Sequence, residues 1–254
     1  MLRINCWKEF RDNKKIESIA VIGNAPSALE FPIGEEIEKA DLIIRMNNYR
    51  VEYNFQQFIG SRTDIFICNF YRPDIRKKLE DVQKDGAKYI WSSIPYSNFN
   101  SRWKSDLDVA QMSYSPYPIF VPSDFDFFRA GSVRFLSAML NYVLSFLLDK
   151  RYKKPKGDWA VPTTGMMAIY LALKLKPKVL IVSGFNFFTS SNAHYFSNNS
   201  SPTVSHHNYS GEINILEGLI TNNPMVKFVL AFDPSLFDIE RFRKYKQVSL
   251  VAKV

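Results

Sequence analysis

The stretch AVIGNAPSALE, residues 20–30, joins the end of an apolar run to a polar turn, and a helix start is predicted at Ser27. In a dinucleotide-binding fold this turn would read Gly-x-Gly-x-x-Gly, because the glycines let the backbone close on a pyrophosphate. Gly23 is the only glycine in the turn, and Asn24 follows it directly. The stretch therefore predicts the first turn of a nucleotide-binding α/β fold whose ligand is not a pyrophosphate.

Apolar runs typical of buried strands alternate with helical patterns along the chain. The strand-like runs lie at 18–23, 41–46, 64–69, 88–93, 178–187 and 227–232, and the helical patterns at 73–87, 132–150, 163–176 and 212–222. This alternation predicts the α/β class, with a mostly parallel central sheet flanked by helices. We expect a single Rossmann-like domain over residues 1–254. Segment 94–130, rich in aromatic, Pro and Ser residues, is predicted to form a small irregular lid.

The charge balance is basic, with a formal net charge of +8 and a pI near 9.3. Two basic runs, 150–158 and 240–247, favour an anionic partner such as lipid headgroups, a nucleotide or a nucleic acid. Cys6 and Cys68 do not form a disulfide or zinc pattern, so we expect a reducing, cytoplasmic setting. Because the sequence has neither a signal peptide nor an apolar run of roughly 20 residues, we expect it to be neither secreted nor membrane-spanning.

Asparagines follow three successive strands of the predicted sheet. Asn24 follows the first, Asn47 and Asn48 the second, and Asn69 the third. Ligands of such sheets bind beyond the carboxyl ends of the strands, and an amide side chain can both donate and accept hydrogen bonds without carrying charge. One such Asn is readily explained by its preference for turns, but three at one edge favour a binding site for a ribose, a base or a phosphodiester.

Four stretches resemble the motifs of the animal-type sialyltransferases. Residues 20–64 are similar to the long motif through GNAPS, GEEIEKADL, RMN and IGSRTD, and residues 161–187 to the short motif through PTTG and VSGF. AHYF (193–196) and HNYSGE (207–212) are similar to the two smaller motifs. Small bacterial sialyltransferases share part of this pattern. The resemblance implies a GT-A-like variant of the Rossmann fold.

The resemblance further implies transfer of sialic acid from CMP-sialic acid to a sugar hydroxyl of a glycan or glycolipid, with inversion. The animal enzymes join their two large motifs by a disulfide. The corresponding segments of this chain contain no cysteine pair, which agrees with a bacterial, cytoplasmic enzyme. The basic runs would allow peripheral contact with the anionic inner face of the cytoplasmic membrane, where lipid-linked acceptors are presented.

The candidate catalytic residues are His207, Glu212, Tyr195 and His194. His207 is the expected general base, because a neutral imidazole can accept the proton of the acceptor hydroxyl and Glu212 follows at the motif spacing. Glu212 would orient His207 or cap its own helix. The bacterial enzymes use two tyrosines against the leaving phosphate. In this chain Phe188, which cannot donate a hydrogen bond, stands at one of these places, and Tyr195 or His194 would donate from the other. The predicted nucleotide-binding set is Gly23, Asn24, Ser27, Asn47, Asn48, Asn69, Thr163, Thr164, Gly165, Gly184 and Phe185.

No metal or other cofactor is expected. Asp124 and Asp126 have the spacing of a metal-binding pair but lie in segment 94–130, and we interpret them as a solvated loop. Trp91, Tyr96, Trp103 and Tyr114 could stack on sugars or belong to the core. Two alternatives stay open: a transferase for CMP-Kdo or another CMP-nonulosonate, and a silent nucleotide- or glycan-binding domain. A nucleic-acid partner is not expected, because the basic residues belong to no recognised motif.

Overall fold

The computed structural model describes residues 2–4, 15–68, 81–82, 84–93, 119–122, 130, 162–187, 192–200, 209–233 and 238–253. The strands are β1 (Leu2–Ile4), β2 (Ser18–Ile22), β3 (Leu42–Met46), β4 (Ile65–Cys68), β5 (Tyr89–Ser92), β6 (Ile119–Val121), β7 (Val179–Ser183), β8 (Asn192–His194), β9 (Ser197–Ser200), β10 (Lys227–Ala231) and β11 (Val248–Leu250). The α-helices are α1 (Gly34–Glu38), α2 (Gln56–Ile59), α3 (Thr164–Lys174) and α4 (Tyr209–Asn222). Short 3₁₀ helices lie at Pro26–Glu30, Tyr53–Phe55 and Glu240–Phe242.

Nine of these strands form one sheet in the order β1-β6-β5-β4-β3-β2-β7-β10-β11. Every pairing along it is parallel, as expected when helices connect successive strands. From β2 the chain adds β3, β4 and β5 on one side, and later places β7 and β10 on the other. The order therefore reverses between β2 and β7, which is where an open α/β sheet has its ligand crevice.

Both faces of the sheet are covered, so its central strands are apolar on both sides. On one face Val21 and Ile44 pack with α3, whose residues from Gly165 to Leu173 are all buried. On the other face Ile22 and Ile43 pack with α1 and the first 3₁₀ helix. The observed sheet confirms the predicted Rossmann-like α/β class.

The C-terminal segment 238–253 is attached to α4 and supplies the edge strand β11. Glu217 of α4 accepts a hydrogen bond from the Tyr245 hydroxyl (2.9 Å), lies 2.7 Å from Lys244 Nζ, and also pairs with Arg241. These donors lower the pKa of Glu217 to about 2 against the opposing effect of its burial. β11 pairs in parallel with β10 through Val248–Leu250.

The main local differences from the sequence prediction are short elements. The helix expected from Ser27 is a 3₁₀ helix, because Pro26 begins it and the residue before Pro32 is extended (φ −124°). β1, β11 and the hairpin β8–β9 were not predicted, because three- or four-residue strands have too few residues to show a period. Within segment 94–130, Ile119–Val121 forms β6 between β1 and β5, so this part is regular.

Other predictions lie wholly or largely outside the described residues. These include the helical pattern 132–150, residues 73–80 and 83 of the pattern 73–87, and most of the rest of segment 94–130, whose role as a lid stays a prediction. No helix in the described part of the chain is long and apolar enough to cross a bilayer.

Candidate active site

The crevice between β2 and β7 is built on the contact of two glycines. Gly23 N donates to Ser183 O (2.8 Å), and Ala25 N donates to Gly184 O (3.0 Å). A Cβ on Gly23 would lie 2.2 Å from Gly184 O, and one on Gly184 would lie 2.6 Å from Gly23 O. Gly184 also has φ +73°, which glycine adopts without strain. Gly23 is therefore needed for the close approach of two chain segments, a constraint that the sequence did not predict.

Two polar side chains beside this contact are buried without a complete set of partners. Asn24 is 7% exposed; its Nδ2 donates to Met46 O (3.0 Å), but its Oδ1 has no hydrogen-bond partner among the described residues. The Oγ of Ser27 is also buried and unpaired within that part of the chain. Because an unsatisfied buried polar atom is costly, these two atoms mark positions where a ligand could supply hydrogen bonds.

The end of β3 brings Asn47 to the same edge in an uncommon backbone conformation. Asn47 has φ +52°, in the left-handed region, and its N–H donates to Ile67 O (3.1 Å). Asn tolerates this region better than most residues. Asn48 follows and is half-buried, whereas Asn69 lies outside the described residues. The structure therefore brings the strand ends carrying Asn24 and Asn47 together, and the third asparagine stays a prediction.

Helix α3 begins close to the same crevice. Thr163 is its N-cap, and its Oγ1 accepts a hydrogen bond from Met166 N (3.2 Å). The hydroxyl of Thr164 lies 3.3 Å from the Oγ of Ser93, which follows β5 and was not identified from the sequence. A Cβ on Gly165 would lie 2.5 Å from a ring atom of Phe185, so this glycine lets the first turn pack on that ring. Phe185 is accordingly part of the apolar core.

Glu212 connects the first turn of α4 to the N-cap of α3. Its Oε1 accepts from Thr163 N (2.7 Å) and its Oε2 from the Thr163 hydroxyl (3.0 Å). The side chain is buried, and the loss of solvation raises its pKa to about 7 despite these two donors. Glu212 thus caps a neighbouring helix, an arrangement that neither sequence alternative included. Its relation to His207 is not part of the described structure.

Tyr195 lies in the turn of the hairpin β8–β9 and contacts both asparagine-bearing strand ends. Its N–H donates to Asn24 O (2.9 Å), and its hydroxyl donates to Arg50 O (2.5 Å) while accepting from Arg50 N (3.1 Å). Burial raises the pKa of this hydroxyl. His194 is half-buried and stacks on Phe196, with ring centroids 5.1 Å apart.

Arg45 is a completely buried cation that the sequence analysis did not single out. Its guanidinium donates to the carbonyls of Ile59 (2.6 Å) and Arg62 (3.1 Å), so it holds the end of α2 against β3. Desolvation lowers its pKa. Arg45 in the RMN stretch could have been recognised from the sequence, because a charged residue inside an apolar strand requires partners.

Trp91, which could have stacked on a sugar, is fully buried in β5 and is therefore a core residue.

His207, the expected base, falls outside the described part of the chain, as do its neighbour His206 and the residues Phe188, Asp124 and Asp126. Tyr96, Trp103 and Tyr114 do as well. Among the residues that the structure describes, no group of three or more His, Cys, Asp or Glu side chains could hold a metal ion.

Comparison with known proteins bears on both family and fold. The model of glycosyltransferase family 29 (sialyltransferase) matches residues 5–223. A β-1,6-galactosyltransferase from Arabidopsis thaliana is 26% identical over 240 residues, which cover 90% of this chain and 56% of that protein. The CMP-N-acetylneuraminate-β-galactosamide-α-2,3-sialyltransferase 2 of Mus musculus is 26% identical over 194 residues, covering 75% and 49%. The chain spans about half the length of these relatives.

A solved structure supports the fold. The sialyltransferase CstII from Campylobacter jejuni, in complex with the substrate analogue cytidine-5'-monophosphate, matches with a TM-score of 0.56 at 15% identity. The match covers 94% of this chain and 86% of that one. The resemblance found in the sequence motifs, and the GT-A-like fold it implied, are both confirmed.

Proposed function

Because this chain belongs to glycosyltransferase family 29, the sialyltransferases, we propose that it transfers sialic acid from CMP-sialic acid to a hydroxyl of a glycan. The observation that carries the proposal is the pair of unpaired buried atoms, Asn24 Oδ1 and Ser27 Oγ, at the switch point of the sheet. An acceptor such as Asn24 Oδ1 suits a ribose hydroxyl or a base amine, and a hydroxyl such as Ser27 Oγ can bind either kind of group.

The phosphate of the nucleotide would lie at the N-terminus of α3. Met166 N and Met167 N are already bound to Thr163, which leaves the amides of Thr164 and Gly165 at the start of the helix. Helix N-termini favour anions through these amides and the helix dipole. A single phosphate, as in a CMP-sugar, needs fewer backbone donors than a pyrophosphate, which agrees with one glycine in the first turn.

His207 would take the proton of the attacking hydroxyl, and the sugar would transfer with inversion. His207 precedes α4 in the sequence, and Glu212 fixes the first turn of α4 to the proposed phosphate site through Thr163. Glu212 therefore acts in this proposal by positioning. Stabilisation of the leaving phosphate would come from α3, with His194 as a further donor.

We further propose that the reaction needs no metal, since CMP leaves through a single phosphate group rather than a diphosphate. The acceptor would be a glycan or glycolipid presented at an anionic surface, to which the net charge of +8 is suited. A cytoplasmic enzyme at the inner face of the membrane fits that arrangement.

The test is CMP release by the purified chain from CMP-Neu5Ac, with a panel of glycan acceptors, in EDTA. Wild type is compared with His207→Ala, and His206→Ala is the matched control. We expect release that survives EDTA and falls at least 100-fold in His207→Ala only, in line with the usual contribution of a general base. An equal loss in both variants, or a requirement for a divalent metal, would contradict the assigned base or the metal-free mechanism.

A second donor class has a specific observation in its favour. The Arabidopsis relative, as similar as the mouse enzyme, is named for galactose transfer, so family membership alone does not fix the donor. Release of CMP from CMP-Kdo and of UDP from UDP-galactose, measured in the same way, separates these possibilities. Binding of CMP without turnover of any donor would favour a silent nucleotide-binding domain.

A further inference from the structure

The turn of the hairpin β8–β9 is attached to two separate strand ends by one residue, Tyr195. Its N–H binds the carbonyl of Asn24 beyond β2, and its hydroxyl binds both the N–H and the carbonyl of Arg50 beyond β3. The ring packs edge-on against Phe55, with centroids 5.2 Å apart. The backbone and side chain of Tyr195 therefore both hold segments that border the crevice.

The hydroxyl of Tyr195 has no proton left for a second acceptor. A phenol has one O–H, and here that proton is donated to Arg50 O at 2.5 Å. Burial also keeps the group neutral, since it raises the pKa of the hydroxyl further. Donation to a leaving phosphate would require this short hydrogen bond to break first.

The contacts of Tyr195 lie next to Asn47, whose backbone is in the left-handed region at this edge of the sheet. Asn47, at φ +52°, is held from one side by the bond between Asn24 Nδ2 and Met46 O, and on the other side the chain is held at Arg50 by Tyr195. A non-glycine residue in the left-handed region persists only when its surroundings fix it. These contacts enclose the segment from Met46 to Arg50 and so restrain the backbone at Asn47.

We propose that Tyr195 is a positioning residue for nucleotide binding: it locks the segment from Met46 to Arg50 in the conformation that presents Asn47 beside Asn24. This inference rests on the proposed function in taking a nucleotide as the ligand of that edge. It replaces the role in phosphate stabilisation that the sequence motif had suggested for Tyr195.

Tyr195→Phe tests the inference, because it removes only the hydroxyl. Calorimetric titration with cytidine and with CMP distinguishes the two roles. A positioning role acts on the whole site, so both affinities should fall by the same factor, about 5- to 10-fold for the loss of the two hydrogen bonds to Arg50. A phosphate contact would weaken CMP alone. The matched control is Tyr53→Phe, since that side chain is 91% exposed and both affinities should stay at the wild-type value.

The coupling to Asn24 gives a second measurement. If Tyr195 and Asn24 restrain the same segment, the losses of binding free energy for CMP in Tyr195→Phe and in Asn24→Ala should not add in the double variant. Thermal denaturation and amide exchange check that Tyr195→Phe stays folded and that protection is lost at the Arg50 amide. A loss confined to CMP, or no loss with either ligand, would overturn the inference while leaving the nucleotide site intact. Failure of the wild type to bind CMP would overturn the proposed nucleotide site, and this inference with it.

Discussion

Replacing Glu212 by Gln should change how the stability of the fold depends on pH. The wild-type carboxyl is buried against Thr163 and has its pKa raised to about 7, whereas in the unfolded chain it titrates near its ordinary value of 4.5. Between these values the folded state binds a proton that the unfolded state does not. Stability from this group is therefore fully present below about pH 4.5 and is lost as the pH rises through 7.

The size of the effect follows from the difference between the two pKa values. Each pKa unit corresponds to about 1.4 kcal/mol, so between pH 5 and pH 8 the wild type should lose about 2 to 3 kcal/mol from Glu212. Gln cannot titrate and keeps only part of the hydrogen bonding to Thr163. The free energy of unfolding of wild type minus that of Glu212→Gln should thus fall by this amount from pH 5 to pH 8.

Urea denaturation at half-unit pH steps measures this difference, with Glu217→Gln as the control on the same helix. The pKa of Glu217 is lowered to about 2, so this group is ionised in both states above pH 5 and its replacement should give a difference that is nearly constant with pH. Parallel curves for wild type and Glu212→Gln, within about 0.5 kcal/mol, would refute the assignment of a raised pKa to the buried carboxyl.

Other predictions concern the packing of the site and the attachment of the C-terminal segment. Gly23→Ala places a Cβ 2.2 Å from Gly184 O and should lower the free energy of unfolding, measured in urea, by about 3 kcal/mol. The control Gly86→Ala has open space around its Cβ but φ +84°, and should lower it by only about 1 kcal/mol. Equal losses would show that crowding is not the cause. Arg45→Met leaves the carbonyls of Ile59 and Arg62 unpaired and should cost about 2 to 4 kcal/mol; unchanged thermal unfolding would contradict this role. Glu217→Gln should be less stable than wild type at pH 7. The difference in the free energy of unfolding should shrink as the pH falls from 4.5 through 2, because the wild-type carboxylate is then protonated. An undiminished difference below pH 2 would argue against the ion pairs.

The sequence allowed prediction of the central sheet because each inner strand is an apolar run covered on both faces. The same holds for α3, whose pattern over 163–176 corresponds to the helix Thr164–Lys174. Edge strands such as β1 and β11 have only three residues each, and their conformation depends on pairing with β6 and β10. A local pattern carries little information about them.

The site was predictable in its residue types more than in its contacts. Strand ends rich in asparagine pointed to one edge of the sheet, and the structure brings the ends that carry Asn24 and Asn47 together there, because the carboxyl ends of parallel strands meet at one edge. The partner of Glu212 is Thr163, 49 positions earlier, and the constraint on Gly23 comes from Gly184, far along the chain. Such contacts arise only after the sheet and α3 have packed, so neither spacing nor propensity reveals them.

The edge strand β11 also affects how this protein avoids aggregation. β10 is a five-residue strand, and its outer hydrogen-bonding edge is covered by the three residues of β11. An uncovered edge of an apolar strand can pair with the same edge of another molecule. The ionic contacts of Glu217 with Lys244 and Arg241 hold the segment that leads into β11. Acid or high salt, which weaken these pairs, should therefore favour self-association through β10 before the fold as a whole is lost.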